Sequence, residues 1–263
     1  MVIDGKKIAE DIIGRLKKKG APAKFMAAFL VGGDPASVSF LKRKEKMAKE
    51  LGVDFRLYGF PGNMSQDDLR NEILKFAADE NCGGIIVQLP LPSGINRDAV
   101  LAAVPAEKDV DTLRGNLVLP PAAGVVDEIL KATSCKIQDK RAAVVGLGFL
   151  VGRPISEWLK GKCAELDCLD MGSDLNSPTG ELKQADLVIL GTGQAGLIKP
   201  EMLKDGALVI DFGYGMKDGK ISGDLDVLKI ENCKLKIDYT PTPGGTGPIL
   251  VAKLFENFYN LAE

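Results

Sequence analysis

The chain has 263 residues, 45% hydrophobic and 27% charged, with 34 basic and 36 acidic residues and a formal net charge of -2. This is the composition of a globular protein of one large domain or two modest ones, with no basic excess to coat a nucleic acid and no apolar run (the longest is Ala142 to Gly152) near the roughly 20 residues of a membrane span. There is no histidine, and the five cysteines form no C-x-x-C pair; imidazole-based hydrolysis and metal ligation are excluded, proton chemistry falls to Lys, Asp, Glu, Tyr, Cys or water, and reduced thiols fit a cytoplasmic protein.

In chain order, Met1 to Lys7 lacks the pattern of a secretion signal. Ile8, Ile12, Ile13 and Leu16 recur at helical spacing through Lys19. Phe25 to Val31 is a continuous apolar run and predicts a buried strand, ending at Gly32-Gly33-Asp34-Pro35. Pro35 or Ala36 opens a helix that reaches Leu51, with Gly52 at its end. Val53 to Phe60 is strand-like. Ser65 caps a helix whose first turn is acidic, Asp67-Asp68, and whose apolar face is Leu69, Ile73, Leu74, Phe76 and Ala77. Gly84 to Leu89 is another buried strand, closed by Pro90 and Pro92.

A second series follows the pair Pro120-Pro121, and the domain boundary is expected near residues 115 to 122. Gly124 to Ala132 predicts a helix and Arg141 to Val145 a strand. Ile155 to Leu159 continues a helix after Gly146-Leu147-Gly148. Strands are expected at Ala164 to Leu169, Asp186 to Leu190 and Ala207 to Phe212. Leu250, Leu254 and Phe258 mark a last helix from Pro248 to Leu261. Such alternation predicts an α/β protein of parallel strands with covering helices.

Gly146-Leu147-Gly148-Phe149-Leu150-Val151-Gly152 sits between strand and helix. Glycines there let the backbone turn tightly and approach a pyrophosphate, and the free amides of the helix start attract its charge. Its spacing is one residue longer than the common dinucleotide fingerprint, and a merely structural turn has the same glycines. Arg153 in the first helical turn is a candidate phosphate partner. Asp167 and Asp170 lie where the second strand meets the adenine ribose, and an acid there favours NAD over NADP. Solvated surface residues would look the same. In the first half, Phe40 and Lys44 share a helix face at i and i+4. Gln88 stands at a strand end, and Lys108-Asp109-Val110-Asp111 is a charged loop at the boundary. None of these three decides a function by itself.

Together the segments resemble the bifunctional 5,10-methylenetetrahydrofolate dehydrogenase/cyclohydrolase family over nearly the whole chain. Gly32-Gly33-Asp34-Pro35-Ala36-Ser37 with Phe40 and Lys44 resembles G-x-x-P-A-S-x-x-Y-x-x-x-K. Val87-Gln88-Leu89-Pro90-Leu91-Pro92 is similar to V-Q-L-P-L-P, and Lys108 to Asp111 to K-D-V-D. Val151-Gly152-Arg153-Pro154 resembles V-G-[KR]-P. Ile210-Asp211-Phe212-Gly213 and Gly223-Asp224-Leu225-Asp226 resemble V-I-D-V-G and G-D-V-D, and Thr240 to Pro248 resembles T-P-V-P-G-G-V-G-P.

The resemblance implies two α/β domains joined by bridging helices with a cleft between. Residues 1–118 with the C-terminal helix 244–263 would form the folate-binding catalytic domain, and 119–243 a doubly wound, Rossmann-type dinucleotide domain. It implies oxidation of 5,10-methylenetetrahydrofolate by NAD(P)+ and hydrolysis of the methenyl product to 10-formyltetrahydrofolate. A dehydrogenase without the hydrolytic step is the alternative. A binding module without turnover, or a dehydrogenase of the shikimate type, fits the motifs less well. By resemblance Lys44, Gln88 and Asp111 are catalytic. Phe40, Val87, Leu89, Pro243, Gly244, Gly245, Thr246 and Gly247 join them around the substrate. Gly146, Leu147, Gly148, Val151, Gly152, Arg153, Asp170, Ser173, Thr192, Gly193 and Tyr214 would hold the cofactor. NADP is the family's expected cofactor and NAD is not excluded. A cytoplasmic homodimer acting in one-carbon supply to purine, methionine and histidine biosynthesis is expected, with tetrahydrofolate derivatives as small-molecule partners, no nucleic acid and no membrane.

There are departures. Phe40 stands where the family has tyrosine, Leu147-Gly148 replaces the arginine and serine of its G-R-S turn, and Leu169-Asp170-Met171 replaces C-H-S. Leu119-Pro120-Pro121-Ala122 stands for P-C-T-P. The site for the extra phosphate of NADP is therefore rewritten.

Overall fold

The computed structural model describes residues 1–170, 172–175, 180–217, 219–230 and 233–263. They divide into two compact units, Asp11–Pro121 with Val251–Glu263, and Met1–Glu10 with Ala122–Leu250. Met171, part of the rewritten cofactor segment, lies outside the described residues.

Helix α1 (Gly5–Lys19) opens the chain. Strand β1 (Phe25–Val31) is the centre of a three-stranded parallel sheet. Its neighbours are β2 (Phe55–Phe60) and β3 (Cys82–Val87). A parallel strand covered on both faces reads as a continuous apolar run, which is why Phe25–Val31 was legible. Helix α2 (Pro35–Leu51) lies between β1 and β2 in the chain and is bounded at both ends by chemistry. The Asp34 carboxylate accepts from the Ser37 amide, Pro35 fills the first turn, and Gly52 closes the helix at φ 72°. Helix α3 (Gln66–Ala78) has the expected Ser65 cap on the Asp68 amide. The short α4 (Arg97–Leu101), capped by Asn96 on Ala99, has no counterpart in the expected elements because five residues carry too little periodicity.

The expected strand Gly84 to Leu89 sits two residues earlier. Gly83 and Gly84, weak strand formers, belong inside it because packing leaves no room for a side chain. A Cβ on Gly84 would come within 2.7 Å of the Phe258 ring and 2.8 Å of Val110 Cγ1. The C-terminal helix that carries Phe258 also holds the loop before residue 120. Buried Asn257 donates from Nδ2 to the carbonyls of Val110 (3.0 Å) and Leu119 (2.9 Å).

The other unit runs through α5 (Pro121–Ala132), β4 (Arg141–Val145), α6 (Gly152–Leu159), β5 (Glu165–Leu169), α7 (Glu181–Gln184), β6 (Leu187–Leu190) and β7 (Leu208–Asp211). An antiparallel pair, β8 (Gly215–Lys217) and β9 (Lys220–Ser222), follows; then α8 (Val227–Ile230), β10 (Asp238–Tyr239) and the start of α9 (Thr246–Ala262), whose residues from Val251 on belong to the first unit. Helix α5 starts three residues earlier than expected, at Pro121, a residue suited to a first helical position. The five parallel strands are ordered β10-β7-β6-β4-β5. From β4 the chain goes to β5 on one side and then crosses to β6 on the other, so the sheet reverses direction between β4 and β6. In an open α/β sheet, that reversal opens a crevice at the carboxyl ends of the strands. Among the described residues, no helix is long and apolar enough to cross a membrane.

Candidate functional site

In the unit of β1 to β3, three side chains converge. Lys44 lies on the inner face of α2 and is 7% exposed, unusual for a lysine. Its amine donates to Gln88 Oε1 at 3.2 Å. Gln88 follows the last residue of β3, Val87, and is held there twice. Its backbone amide donates to the Phe29 carbonyl at 2.9 Å, and its side-chain Nε2 donates to the Leu89 carbonyl at 2.8 Å. Ser37, one turn into α2, also donates to that Leu89 carbonyl at 3.4 Å. The glutamine oxygen is thereby committed to the lysine.

Asp111 is the third group. Burial raises its pKa and the Lys44 charge opposes that rise. Burial lowers the pKa of Lys44 and the Asp111 charge opposes that fall. Each thus sits in a desolvated setting where the other is the main compensating charge. The neighbouring cations Lys42 and Arg43 are exposed and do not contribute to the fall. The cause is burial. Arg43 instead lies over the Phe40 ring, 5.5 Å from its centre. Phe40 is partly exposed on the same face as Lys44.

The structure separates the roles in the Lys108 to Asp111 loop. Lys108 donates to the carbonyls of Phe76, Ala77 and Asp79 (3.3, 2.6 and 2.7 Å), closing the end of α3. Asp109, 4% exposed, accepts from the amides of Arg114 (2.8 Å) and Gly115 (2.9 Å). Both are building groups. Among the described residues no hydrogen bond reaches the Asp111 carboxylate, which leaves its acceptors for a ligand. Thr112 beside it has φ 54°, strained for a β-branched residue, and its buried hydroxyl has no partner.

In the other unit the three glycines after β4 differ in purpose. Gly146 turns at φ 87°, and a Cβ there would lie 2.7 Å from the Gly191 carbonyl oxygen. A Cβ on Gly152 would strike the Gly146 carbonyl at 1.9 Å, so glycine allows α6 to sit against the turn. Gly148 is exposed with open space where its side chain would be. Val151 stands in the cap position before α6 and provides no side-chain cap. A tight turn, a close helix and an open middle glycine under uncapped amides fit a dinucleotide pyrophosphate. Arg153 is exposed and donates from Nε to the Leu147 carbonyl at 3.1 Å.

Of the two ribose candidates, Asp167 is engaged. Its Oδ2 accepts from Arg141 Nε at 2.9 Å, on the neighbouring strand. Asp170, just past the end of β5, is exposed and forms a tight turn with Ser173: each backbone amide bonds the other residue, at 3.1 and 3.0 Å. Thr192 and Gly193 follow β6, Gly193 at φ 70°, and Tyr214 is 44% exposed after β7.

The segment Pro243 to Gly247 belongs to this same unit. The Gly245 amide donates to the Pro241 carbonyl at 2.8 Å and the Thr246 hydroxyl to the Asp211 carbonyl at 2.9 Å. A Cβ on Gly5 would lie 1.8 Å from the Gly245 carbonyl oxygen, so the start of α1 packs directly on this turn.

The profile described as tetrahydrofolate dehydrogenase/cyclohydrolase, catalytic domain, matches residues 3–111, and that described as its NAD(P)-binding domain matches residues 120–263. A protein of Bacillus licheniformis called bifunctional protein FolD is 34% identical over 281 aligned positions, covering 100% of this chain and 97% of its own length. The crystal structure of the FolD methylenetetrahydrofolate dehydrogenase/cyclohydrolase of Campylobacter jejuni superposes with a TM-score of 0.91 at 32% identity, covering 100% of this chain and 98% of that one. The Trypanosoma brucei enzyme, complexed with NADP cofactor and an inhibitor, gives 0.91 at 27% identity, covering 100% and 97%.

Proposed function

This chain belongs to the tetrahydrofolate dehydrogenase/cyclohydrolase family, and we propose that Lys44, Gln88 and Asp111 carry the folate chemistry while the Gly146 turn holds the dinucleotide. The enzyme oxidises 5,10-methylenetetrahydrofolate to the methenyl cation with NAD(P)+ and hydrolyses that cation to 10-formyltetrahydrofolate. Both activities are expected, because relatives matching over the full length are bifunctional.

When bound, the nicotinamide supplies a hydride acceptor. Hydride loss from the methylene carbon needs orientation and dryness rather than an acid or base. Asp111 provides orientation, since a pterin edge presents several N–H donors to a carboxylate. Phe40 offers a ring face for stacking. Hydrolysis is different. Water adds to the methenyl carbon and must lose a proton, and N5 must gain one as the C–N5 bond breaks; one proton is released overall. Lys44 in its neutral form accepts the proton from water and returns it to N5. Burial is what makes a neutral lysine available. Gln88 Oε1 holds the amine in place.

The observation that carries this reading is the buried Lys44 amine at 3.2 Å from Gln88 Oε1, with Asp111 as its counter-charge. NADP is the proposed cofactor, in keeping with the bound cofactor of the Trypanosoma brucei relative. The exposed Asp170 at the end of β5 admits NAD as well, because its charge opposes an added ribose phosphate. A cytoplasmic homodimer, with a folate domain of residues 1–118 and 244–263 and a product that feeds purine, methionine and histidine biosynthesis, completes the proposal. The test is purified protein with methylenetetrahydrofolate and each dinucleotide in turn. Cofactor reduction followed by decay of the methenyl species faster than in buffer supports it; absence of both rejects it.

A further inference from the structure

The crevice between β4 and β6 has two walls, and only one is the glycine turn. The other is Gly191-Thr192-Gly193, which follows β6. The walls touch: a Cβ on Gly146 would lie 2.7 Å from the Gly191 oxygen and 3.0 Å from Thr192 Cγ2, and a Cβ on Gly191 would lie 3.0 Å from Val151 Cγ1. The glycine turn is held by its own helix. The second wall has no helix behind it. The Gly191 amide is held by the Val145 carbonyl at 2.9 Å, and those of Thr192 and Gly193 by one fully buried carboxylate.

That carboxylate is Asp224. Its Oδ2 accepts from the Thr192 amide at 2.6 Å and the Gly193 amide at 3.3 Å. Its Oδ1 is buried and has no partner, lying where a Cβ on Gly213 would come within 2.3 Å. Asp224 is in turn fixed by a second buried carboxylate at the end of β7. Asp211 Oδ1 accepts from the amides of Gly213 (2.7 Å) and Asp224 (3.2 Å), and Oδ2 from that of Leu225 (2.9 Å). Asp211 therefore sets the backbone of Asp224, and Asp224 sets the second wall. A buried carboxylate oxygen without a donor is a cost that persists only where the surroundings overdetermine it, and such costs gather at functional sites.

The direction of the ligand follows from the sheet. A dinucleotide bound as open α/β sheets bind them would set its pyrophosphate over the turn after β4 and its adenosine half toward β5. Its other half would then face β6 and the second wall.

We propose that Asp224 is a positioning residue for the nicotinamide half of the dinucleotide, acting through the amides of Thr192 and Gly193 rather than by touching the ligand. The proposal rests on the dinucleotide reading of this unit and adds a residue to it. Asp224→Asn keeps the size and one acceptor oxygen but removes the charge that strengthens both amide bonds. Asp224→Ala removes the acceptor entirely.

The experiment measures binding of NADP+, NAD+ and adenosine 2′,5′-bisphosphate by the fluorescence of Trp158, the chain's one tryptophan, which lies on α6. Thermal unfolding is followed in parallel. The expected result for Asp224→Asn is a roughly 5- to 10-fold rise in Kd for both dinucleotides, with the bisphosphate, which lacks the nicotinamide half, bound as by wild type. Asp224→Ala extends the loss to roughly 100-fold wherever it folds. Equal binding of dinucleotide by wild type and Asp224→Asn overturns the proposal, as does a proportional loss of bisphosphate, which is what a merely structural role produces. Hydrogen exchange on the wild-type chain is independent of any variant's folding. The Thr192 and Gly193 amides are expected to be protected before dinucleotide is added; free exchange there overturns the proposal. A wild-type chain that binds no dinucleotide but does bind folate defeats the reading of the site itself, a result distinct from the others.

Discussion

The amine of Lys44 and the side-chain oxygen of Gln88 stand 3.2 Å apart at the junction of a helix face and a strand end. The contact joins residues 44 positions apart in the chain. It exists because α2 is fixed at its start by Asp34, while the Gln88 backbone amide is bonded to β1. A lysine buried there loses water and pays through its charged form, so its pKa falls from 10.5.

The pH dependence of hydrolysis follows. The reaction needs the neutral amine, so its rate rises as pH climbs through the Lys44 pKa and levels above it. That limb lies below the ordinary lysine range. The Asp111 charge favours the ammonium and holds the pKa up. Asp111→Asn removes that charge, so the limb of kcat at saturating folate moves to lower pH while the folate KM rises. A limb that stays put, or moves up, contradicts the assignment.

The glycines of the turn make a paired prediction. Gly148→Ala places its methyl in open space, so the fold survives and dinucleotide binding weakens, by roughly 10-fold, through obstruction. Gly152→Ala places it 1.9 Å from the Gly146 oxygen, so the turn cannot form and the unit loses several kcal/mol of stability, about 3 or more. Thermal unfolding and dinucleotide titration of the two variants check both halves.

Thr112 is a reservoir of strain. At φ 54° with an unpaired buried hydroxyl, it is worse placed than glycine would be. Thr112→Gly is expected to raise the unfolding free energy by about 1 kcal/mol, despite the added freedom of the unfolded chain. Denaturant midpoints at equal slope provide the measurement.

Asp211 gives the fold its own pH signature. Burial, with a smaller contribution from the neighbouring Asp224, raises its pKa from 3.8 to about 6, against the pull of its amide hydrogen bonds. The folded state therefore binds a proton that the unfolded state has released. That stabilisation is complete below pH 3.8 and is lost as pH rises to about 6, a change of about 3 kcal/mol. Asp211→Asn has no such proton. The stability of wild type relative to this variant is expected to fall by that amount from about pH 3 to about pH 7, measured by chemical denaturation.

The sequence showed much of this architecture because parallel strands buried on both faces leave continuous apolar runs, as at Phe25–Val31 and Arg141–Val145. Caps at Ser65 and Gly52 marked helix ends through local chemistry alone. Short elements such as α4 and the β8–β9 pair were not legible, since three to five residues carry no period. Contacts between distant residues were the harder limit. Asp167 and Asp170 looked alike until Arg141 on the neighbouring strand claimed one of them. Asp109 and Asp111 likewise differ by partners and not by sequence. The hold of Asp224 on Thr192 spans 32 positions and runs to a backbone amide, which leaves no mark in the side-chain pattern. The fall in the Lys44 pKa comes from burial, which depends on what packs around the helix and not on the cations beside it in sequence.

The most direct measurement of the central claim is a Lys44→Met enzyme supplied with methylenetetrahydrofolate and NADP+, with cofactor reduction and methenyl decay followed in one reaction. Proton shuttling by a positioned group contributes roughly 100-fold or more. The account predicts that the methenyl species accumulates and decays at the buffer rate while the dinucleotide is still reduced. Decay at the wild-type rate would contradict it.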